Sequence, residues 1–116
     1  MSQKVYDLEQ RTFKFAKETR LLLKRMPKTI INFEDGKQVI RSSGSVGANY
    51  IEANEALSKK DFCFRIKISR KEAKESKYWF SLLKVTNPEF ENELEKLINE
   101  ADELKKIFSA ILEKSS

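Results

Sequence analysis

The sequence predicts an all-α fold, an antiparallel up-down-up-down four-helix bundle, on three observations. Apolar residues recur at alternating three- and four-residue spacing along four long stretches, the period of helices with one buried stripe. Only three Gly and two Pro interrupt the chain, and 35% of its residues are charged, which suits long helices joined by short turns. No stretch alternates apolar and polar residues as a half-buried strand would. With 116 residues the chain forms a single domain, 1–116, large enough to bury a core without staples.

The first helix has a cap-like start at Asp7-Leu8-Glu9-Gln10. Its stripe is Leu8, Thr12, Phe15, Thr19, Leu22 and Met26, widened by Ala16 and Leu23, and Pro27 stops it. From Thr29 to Lys37 the sequence predicts a connection, with Ile30, Ile31 and Phe33 tucked under the bundle and Asp35-Gly36 supplying turn chemistry. A second helix runs from about Lys37 to Leu57 on a seam of Val39, Ser43, Val46, Tyr50, Ala53 and Leu57. Ser58-Lys59-Lys60-Asp61 is a capping-box signature that opens the third helix. Asn87-Pro88 separates the third helix from the fourth, with Asn87 suited to capping and Pro88 to the first helical position. Phe90, Leu94, Leu97, Ala101, Leu104, Phe108 and Ile111 make the last seam, and the acids from Glu91 to Glu103 form its solvated face. Short connections make consecutive helices antiparallel neighbours.

The third helix has more faces than a lone bundle needs. Phe62, Ile66, Ser69, Ala73, Ser76, Phe80 and Leu83 form one seam, and Phe64, Ile68, Trp79 and Leu82 form a second about a third of a turn away. Lys59, Lys60, Lys67, Arg70, Lys71, Lys74 and Lys77 fill the remaining sector. One seam serves the chain's own core. The surplus seam predicts a homo-oligomer built through helices two and three, because a soluble monomer rarely leaves such a stripe in water. On helix two, Arg41, Ser45, Asn49 and Glu52 stack on the face opposite its core seam, and Glu72 and Glu75 lie beside the surplus seam of helix three. They are expected to serve assembly or helix pairing, as a polar strip whose Arg and carboxylates pair within a subunit interface.

Charge is concentrated in two segments. Residues 1–28 and 59–77 each carry a net +5, while residues 29–58 sum to −2 and residues 78–116 to −3. Helix one contributes Arg11, Lys14, Lys17, Arg20, Lys24 and Arg25 to a basic face, and helix three Lys60, Lys67, Arg70, Lys71, Lys74 and Lys77. Local clusters of this kind attract polyanions, so these twelve are the candidate nucleic-acid-binding residues. Once a ring forms, a continuous basic wall would favour nucleic acid; scattered lysines would favour a protein scaffold.

Catalytic groups are not evident. The chain has no His, which removes the usual general base and the commonest metal ligand. No carboxylates form an inward set, so neither a metal nor another cofactor is expected. Gly44-Ser45-Val46-Gly47 lacks the spacing and lysine of a phosphate loop and sits within a helical pattern, where small residues permit close helix approach. A lone cysteine, Cys63, forms no internal disulfide. Without a membrane span or a signal-peptide core, the expectation is a reduced cytoplasmic protein. A metal-independent nuclease would lack its acid and base, so the chain is not expected to be an enzyme.

The helix-two segment Arg41-Ser-Ser-Gly-Ser-Val-Gly-Ala-Asn49-Tyr-Ile-Glu52-Ala53 resembles the central motif of the 23S ribosomal-RNA intervening-sequence proteins, a family of four-helix bundles. Asp61-Phe62, Lys71-Glu72-Ala73-Lys-Glu75-Ser76 and Tyr78-Trp79 are similar to that family's third helix, so the resemblance spans roughly Tyr6 to Leu112. Ala53-Asn54 departs from the family's commoner small-residue pair after the Glu. The resemblance implies a bacterial, cytoplasmic bundle that assembles as a ring, typically a pentamer. It also implies kinship with accessory proteins of diversity-generating retroelements, basic pentamers that bind nucleic acid and a reverse transcriptase. Two functions follow as expectations: a non-enzymatic oligomer that binds RNA or DNA with little sequence preference, or a scaffold that holds a protein partner such as a reverse transcriptase.

Overall fold

The computed structural model describes residues 2–115, with side chains described from Asp7 to Ser115. Four helices account for nearly all of them: α1 (Ser2–Arg25), α2 (Ile30–Asn54), α3 (Lys59–Thr86) and α4 (Glu91–Ser115), with a 3-10 turn at Pro88–Phe90 before α4. No strand occurs among the described residues. The long dimension is 44 Å against 23 and 19 Å.

Pro27 ends α1 as expected, because it disfavours helical geometry at the residue before it. At the other end, Asp7-Leu8-Glu9-Gln10 lies inside α1, which starts at Ser2. The larger difference comes next. Thr29, in extended conformation, accepts a hydrogen bond from the Asn32 backbone N–H at 3.1 Å and caps α2 at Ile30. The segment from Ile30 to Lys37 is therefore helix, and Asp35-Gly36 makes no turn. Gly36 is buried within α2 and lies beside Leu23 of α1. Ile30, Ile31 and Phe33, expected beneath the bundle, are 78%, 49% and 63% exposed. α2 stops at Asn54, which leaves Leu57 fully in solvent instead of on the core seam.

Ser58 opens α3 as its sequence predicts, its hydroxyl accepting from the Asp61 N–H at 3.0 Å. Asn87 does not cap the following turn with its side chain. Its amide is buried and forms a reciprocal pair with Asn32, each Nδ2 donating to the other's Oδ1 at 2.8 Å, and it also donates to the Leu83 carbonyl. This satisfies two buried amides at once and fastens the start of α2 to the α3–α4 corner.

The core follows the sequence stripes. Leu8, Thr12, Phe15, Thr19 and Leu22 of α1 and Met26 just after it are all buried, as are Val39, Val46 and Tyr50 of α2, Ile66, Ala73, Phe80 and Leu83 of α3, and Leu94, Leu104 and Phe108 of α4. Phe15 and Phe80 meet edge to face at 5.9 Å, and Tyr50 meets Phe108 at 6.0 Å. Around this core α1 adjoins α2 and α4, and α3 adjoins the same two helices. α1 and α3 thus stand diagonally across the core, with their outer faces on opposite sides.

Small residues set how closely the helices approach. Ser42 and Ser76 share a hydroxyl–hydroxyl bond of 2.8 Å across the α2–α3 seam, and the Ser69 hydroxyl donates to the Val46 carbonyl at 2.9 Å. Gly47 lies so close to α1 that a Cβ there would stand 2.9 Å from the Thr12 hydroxyl. The α1–α4 seam is much looser: a groove of about 830 Å³ runs along it, floored by Phe15, Leu22 and Leu97. Across each seam, residue numbers rise on one helix as they fall on the other, as in Thr12–Gly47 with Leu23–Gly36, or Lys77–Asp102 with Lys84–Glu95.

Candidate nucleic-acid interface

The two basic helices treat their cations differently. On α1, Arg11 lies in a two-pronged pair with Glu100, its nitrogens 2.6 and 2.9 Å from the carboxylate oxygens. That hydrogen bond holds the guanidinium above its ordinary pKa, with burial opposing and the Glu100 charge reinforcing. Arg25 reaches Glu93 at 2.6 Å and lies over the Phe90 ring. Arg20 donates to the Ala16 and Ile40 carbonyls and to the Ser43 hydroxyl. All three arginines therefore act as ties to α2 and α4. Lys14, Lys17 and Lys24 stay exposed.

On α3, Lys77 pairs with Asp102 of α4 at 3.2 Å, and Arg70 leans on Ser109. The Asp102 carboxylate is held below its usual range chiefly by the Lys77 hydrogen bond, against desolvation. Lys60, Lys67, Lys71 and Lys74 are exposed, and none forms a salt bridge among the described residues. Successive members lie three, four or seven residues apart, which places them in one row on the outer face of the helix. Because α1 and α3 are diagonal, the two sets do not form one surface within a chain. Four of the six α3 residues make a continuous strip, and three lysines on the far side make a second.

The residues expected at a subunit interface gather on the α2–α3 face. Arg41 binds Glu72 at 3.2 Å and also Glu75, so this pairing joins α2 to α3 within the chain. Arg41 stands level with the Glu72–Glu75 turn across the α2–α3 seam. Glu72 is buried, with a side chain only 7% exposed, whereas Arg41 is half exposed. Arg41 is held above its ordinary pKa, chiefly by the Glu75 hydrogen bond, with desolvation opposing. Desolvation pushes the Glu75 carboxyl up, but hydrogen bonds from Trp79 and Arg41 and the charges of Arg41 and Lys71 outweigh it, so the net shift is downward. Trp79 Nε1–H donates to Glu75 at 3.1 Å. Further along, Asn49 donates to the Ser45 carbonyl and hydroxyl and accepts from Arg65 at 3.1 Å. Arg65 was not among the expected residues; only the α2–α3 register reveals it. Glu52 is exposed on the same face.

Of the surplus seam, Phe64 is 58% exposed, while Ile68, Trp79 and Leu82 are half buried. A second apolar surface lies on the α1–α2 side, where Phe13, Phe33, Ile40 and Ile51 are exposed. The early start of α2 creates this surface by adding Phe33 in helical phase with Ile40 and Ile51. The signal was present in that seven- and eleven-residue spacing, hidden by reading Asp35-Gly36 as a turn. No cluster of His, Cys, Asp and Glu arranged to hold a metal ion occurs among the described residues.

The model for the 23S rRNA-intervening sequence protein family matches residues 4–110. The chain belongs to this family. The match covers all four helices, including the Arg41–Glu52 segment whose side chains line the α2–α3 face. The crystal structure of a protein with unknown function from the S23 ribosomal protein family of Bacteroides thetaiotaomicron VPI-5482 is similar, at 30% identity and a TM-score of 0.79, over 90% of this chain and 96% of that one. No curated protein matches the chain. No described helix of this family member is long and apolar enough to cross a membrane.

Proposed function

We propose that this protein is a non-enzymatic, cytoplasmic, bacterial homo-oligomer that binds RNA or DNA through phosphate contacts with little sequence preference. The observation that carries this is the row Lys60, Lys67, Lys71 and Lys74, exposed on one helix face and without salt bridges among the described residues. Lysines held in internal pairs would already be neutralised; these remain available to release counterions from a polyanion. Lys14, Lys17 and Lys24 provide a weaker strip on the opposite side. Arg11, Arg20, Arg25, Arg70 and Lys77 contribute as structural ties.

The bundle runs up-down-up-down with antiparallel neighbours, a reading the seam contacts support. Copies assemble as a ring, a pentamer by family resemblance, through the α2–α3 face of Arg41, Ser45, Asn49, Glu52, Ile68, Glu72, Glu75, Trp79 and Leu82, with Phe64 at its edge. A ring repeats the lysine row, so weak single contacts gain by multivalency. A second reading is favoured by the exposed apolar surface of Phe13, Phe33, Ile40 and Ile51: a scaffold that holds a protein partner such as a reverse transcriptase, as in the retroelement accessory proteins.

Fluorescence polarisation of labelled RNA and DNA across a salt series tests the first reading. Affinity should fall with a log–log slope of about −0.7 to −0.9 per phosphate engaged. Reversing Lys67, Lys71 and Lys74 to Glu should abolish binding without altering sedimentation. No binding at about 50 mM salt, where the electrostatic contribution is strong, would reject nucleic acid and leave the scaffold.

A further inference from the structure

Phosphate contacts leave two aromatic rings on the same face beside the lysine row. Phe64 and Tyr78 are each 58% exposed. At about 100° per residue they fall with Lys60, Lys67, Lys71 and Lys74 in one sector roughly 80° wide. Phe64 lies one turn before Lys67 and Tyr78 one turn after Lys74, so the rings bracket three lysines along about 21 Å of helix axis. A single exposed ring is ordinary; two that enclose a cationic row are a pattern with chemistry.

Tyr78 is also held in place. Its ring stands edge to face on Trp79, 5.2 Å between centroids at 75°. Trp79 is fixed by its hydrogen bond to Glu75, and Glu75 by Arg41. The orientation of the Tyr78 ring is thus set from the α2–α3 seam before any ligand arrives, which lowers the ordering cost of binding. Lysines three and four residues apart step about 4.5–6 Å along the axis, longer than the ~3.4 Å per phosphate of a stacked duplex strand. A stretched strand matches that step better than a duplex does. Duplexes also bury the base faces that a ring would stack upon, whereas every unpaired base offers one.

We propose that the outer face of α3 selects single-stranded nucleic acid, stacking bases on Phe64 and Tyr78 while Lys67, Lys71 and Lys74 take the phosphates between them. This rests on the reading of that face as a nucleic-acid surface. Selection comes from unpaired bases and a phosphate backbone, which single-stranded RNA and single-stranded DNA share.

The test uses the full-length chain with labelled, mixed-sequence RNA and DNA of about 16 nucleotides, the upper end of a single binding platform, each as single strand and as perfect duplex. Polarisation should show both single strands, or one of them, bound at least about 5-fold more tightly than the matching duplex; a preference between the two identifies the natural backbone. Phe64→Ala and Tyr78→Ala should each weaken single-strand binding about 5- to 150-fold and leave duplex binding unchanged. Tyr78→Phe should keep the wild-type affinity, as should Phe33→Ala on the far side of α2. Equal affinity for strand and duplex, with Phe64→Ala and Tyr78→Ala silent while the triple lysine reversal still abolishes binding, overturns the single-strand inference and leaves phosphate binding standing. Failure of every probe overturns both. A lower sedimentation coefficient for Phe64→Ala or Tyr78→Ala assigns the ring to a subunit contact and likewise overturns the inference.

Discussion

Residues 1–28 and 59–77 each carry eight basic and three acidic side chains, yet they present that charge in different ways. α1 turns its three arginines onto neighbouring helices, where planar forks meet carboxylates and carbonyls. α3 leaves a row of lysines in water. The choice of cation fits the proposed tasks. Arginine's rigid fork suits fixed, directional pairs, whereas a flexible, well-hydrated ammonium suits a surface that meets a moving polyanion. Equal net charge in two segments is thus compatible with a framework helix in one and a binding helix in the other.

The sharpest way to break this comparison is to reverse each free set separately. Lys67, Lys71 and Lys74 changed to Glu should lower nucleic-acid affinity beyond detection, more than about 100-fold, by the loss of phosphate neutralisation. Lys14, Lys17 and Lys24 changed to Glu should cost less than about tenfold in the same polarisation assay, through loss of the weaker strip and long-range repulsion. Equal losses would show that the two helices act alike.

A second comparison sets the acids that hold Arg41 against those that hold the α1 arginines. Glu72→Ala removes the buried member of its pair and leaves a guanidinium that is half exposed and still has Glu75. The expected loss is about 1–3 kcal/mol, below the ~3–5 kcal/mol of a fully buried pair. Glu100→Ala breaks a surface pair with Arg11 and should cost under ~1 kcal/mol. Urea denaturation of both variants measures the difference, and a Glu72→Ala loss no larger than that of Glu100→Ala would place the α2–α3 seam among ordinary surface contacts.

Those energetic differences also mark where the sequence ceased to be informative. Periodicity located the core residues of all four helices, because one buried stripe is a property of each helix alone. The Ser58 cap was legible for the same local reason. Asp35-Gly36 was not: the pair favours turns in isolation, but Thr29 caps the helix ahead of it, and Gly36 is buried inside that helix. Asn87 likewise has the right chemistry for a cap and finds a better partner in Asn32. For the candidate site, the sequence grouped twelve cations by helix. It could not separate the tied ones from the free, since Arg11–Glu100 and Arg25–Glu93 depend on how α1 aligns with α4.

The smallest expected effect concerns pH. Glu75 titrates below the ordinary carboxylate range in the folded chain, so the unfolded chain takes up its proton more readily. Its contribution to stability is present at pH above the unfolded pKa of about 4.3 and is lost as pH falls through the lower folded value. Glu75→Gln should therefore flatten the acid limb of a plot of melting temperature against pH. An acid limb identical to that of the parent chain would mean that the Trp79 and Arg41 contacts do not bias this carboxyl in solution.

The open seam between α1 and α4 also bears on how the molecule comes apart. α2, α3 and α4 share tight seams and the Asn32–Asn87 pair, whereas α1 holds to α4 across a solvent-filled groove spanned by two surface ion pairs. Native bundles open in cooperative units, and the unit with the fewest buried contacts opens at the lowest free energy. α1 is that unit. Its amide protons should exchange with deuterium through an opening that leaves the other three helices protected, and a protease should first cut at the Met26–Thr29 corner. The arginine ties add only a small increment to the buried stripe of α1, so added salt, which screens exposed pairs, should ease this opening slightly.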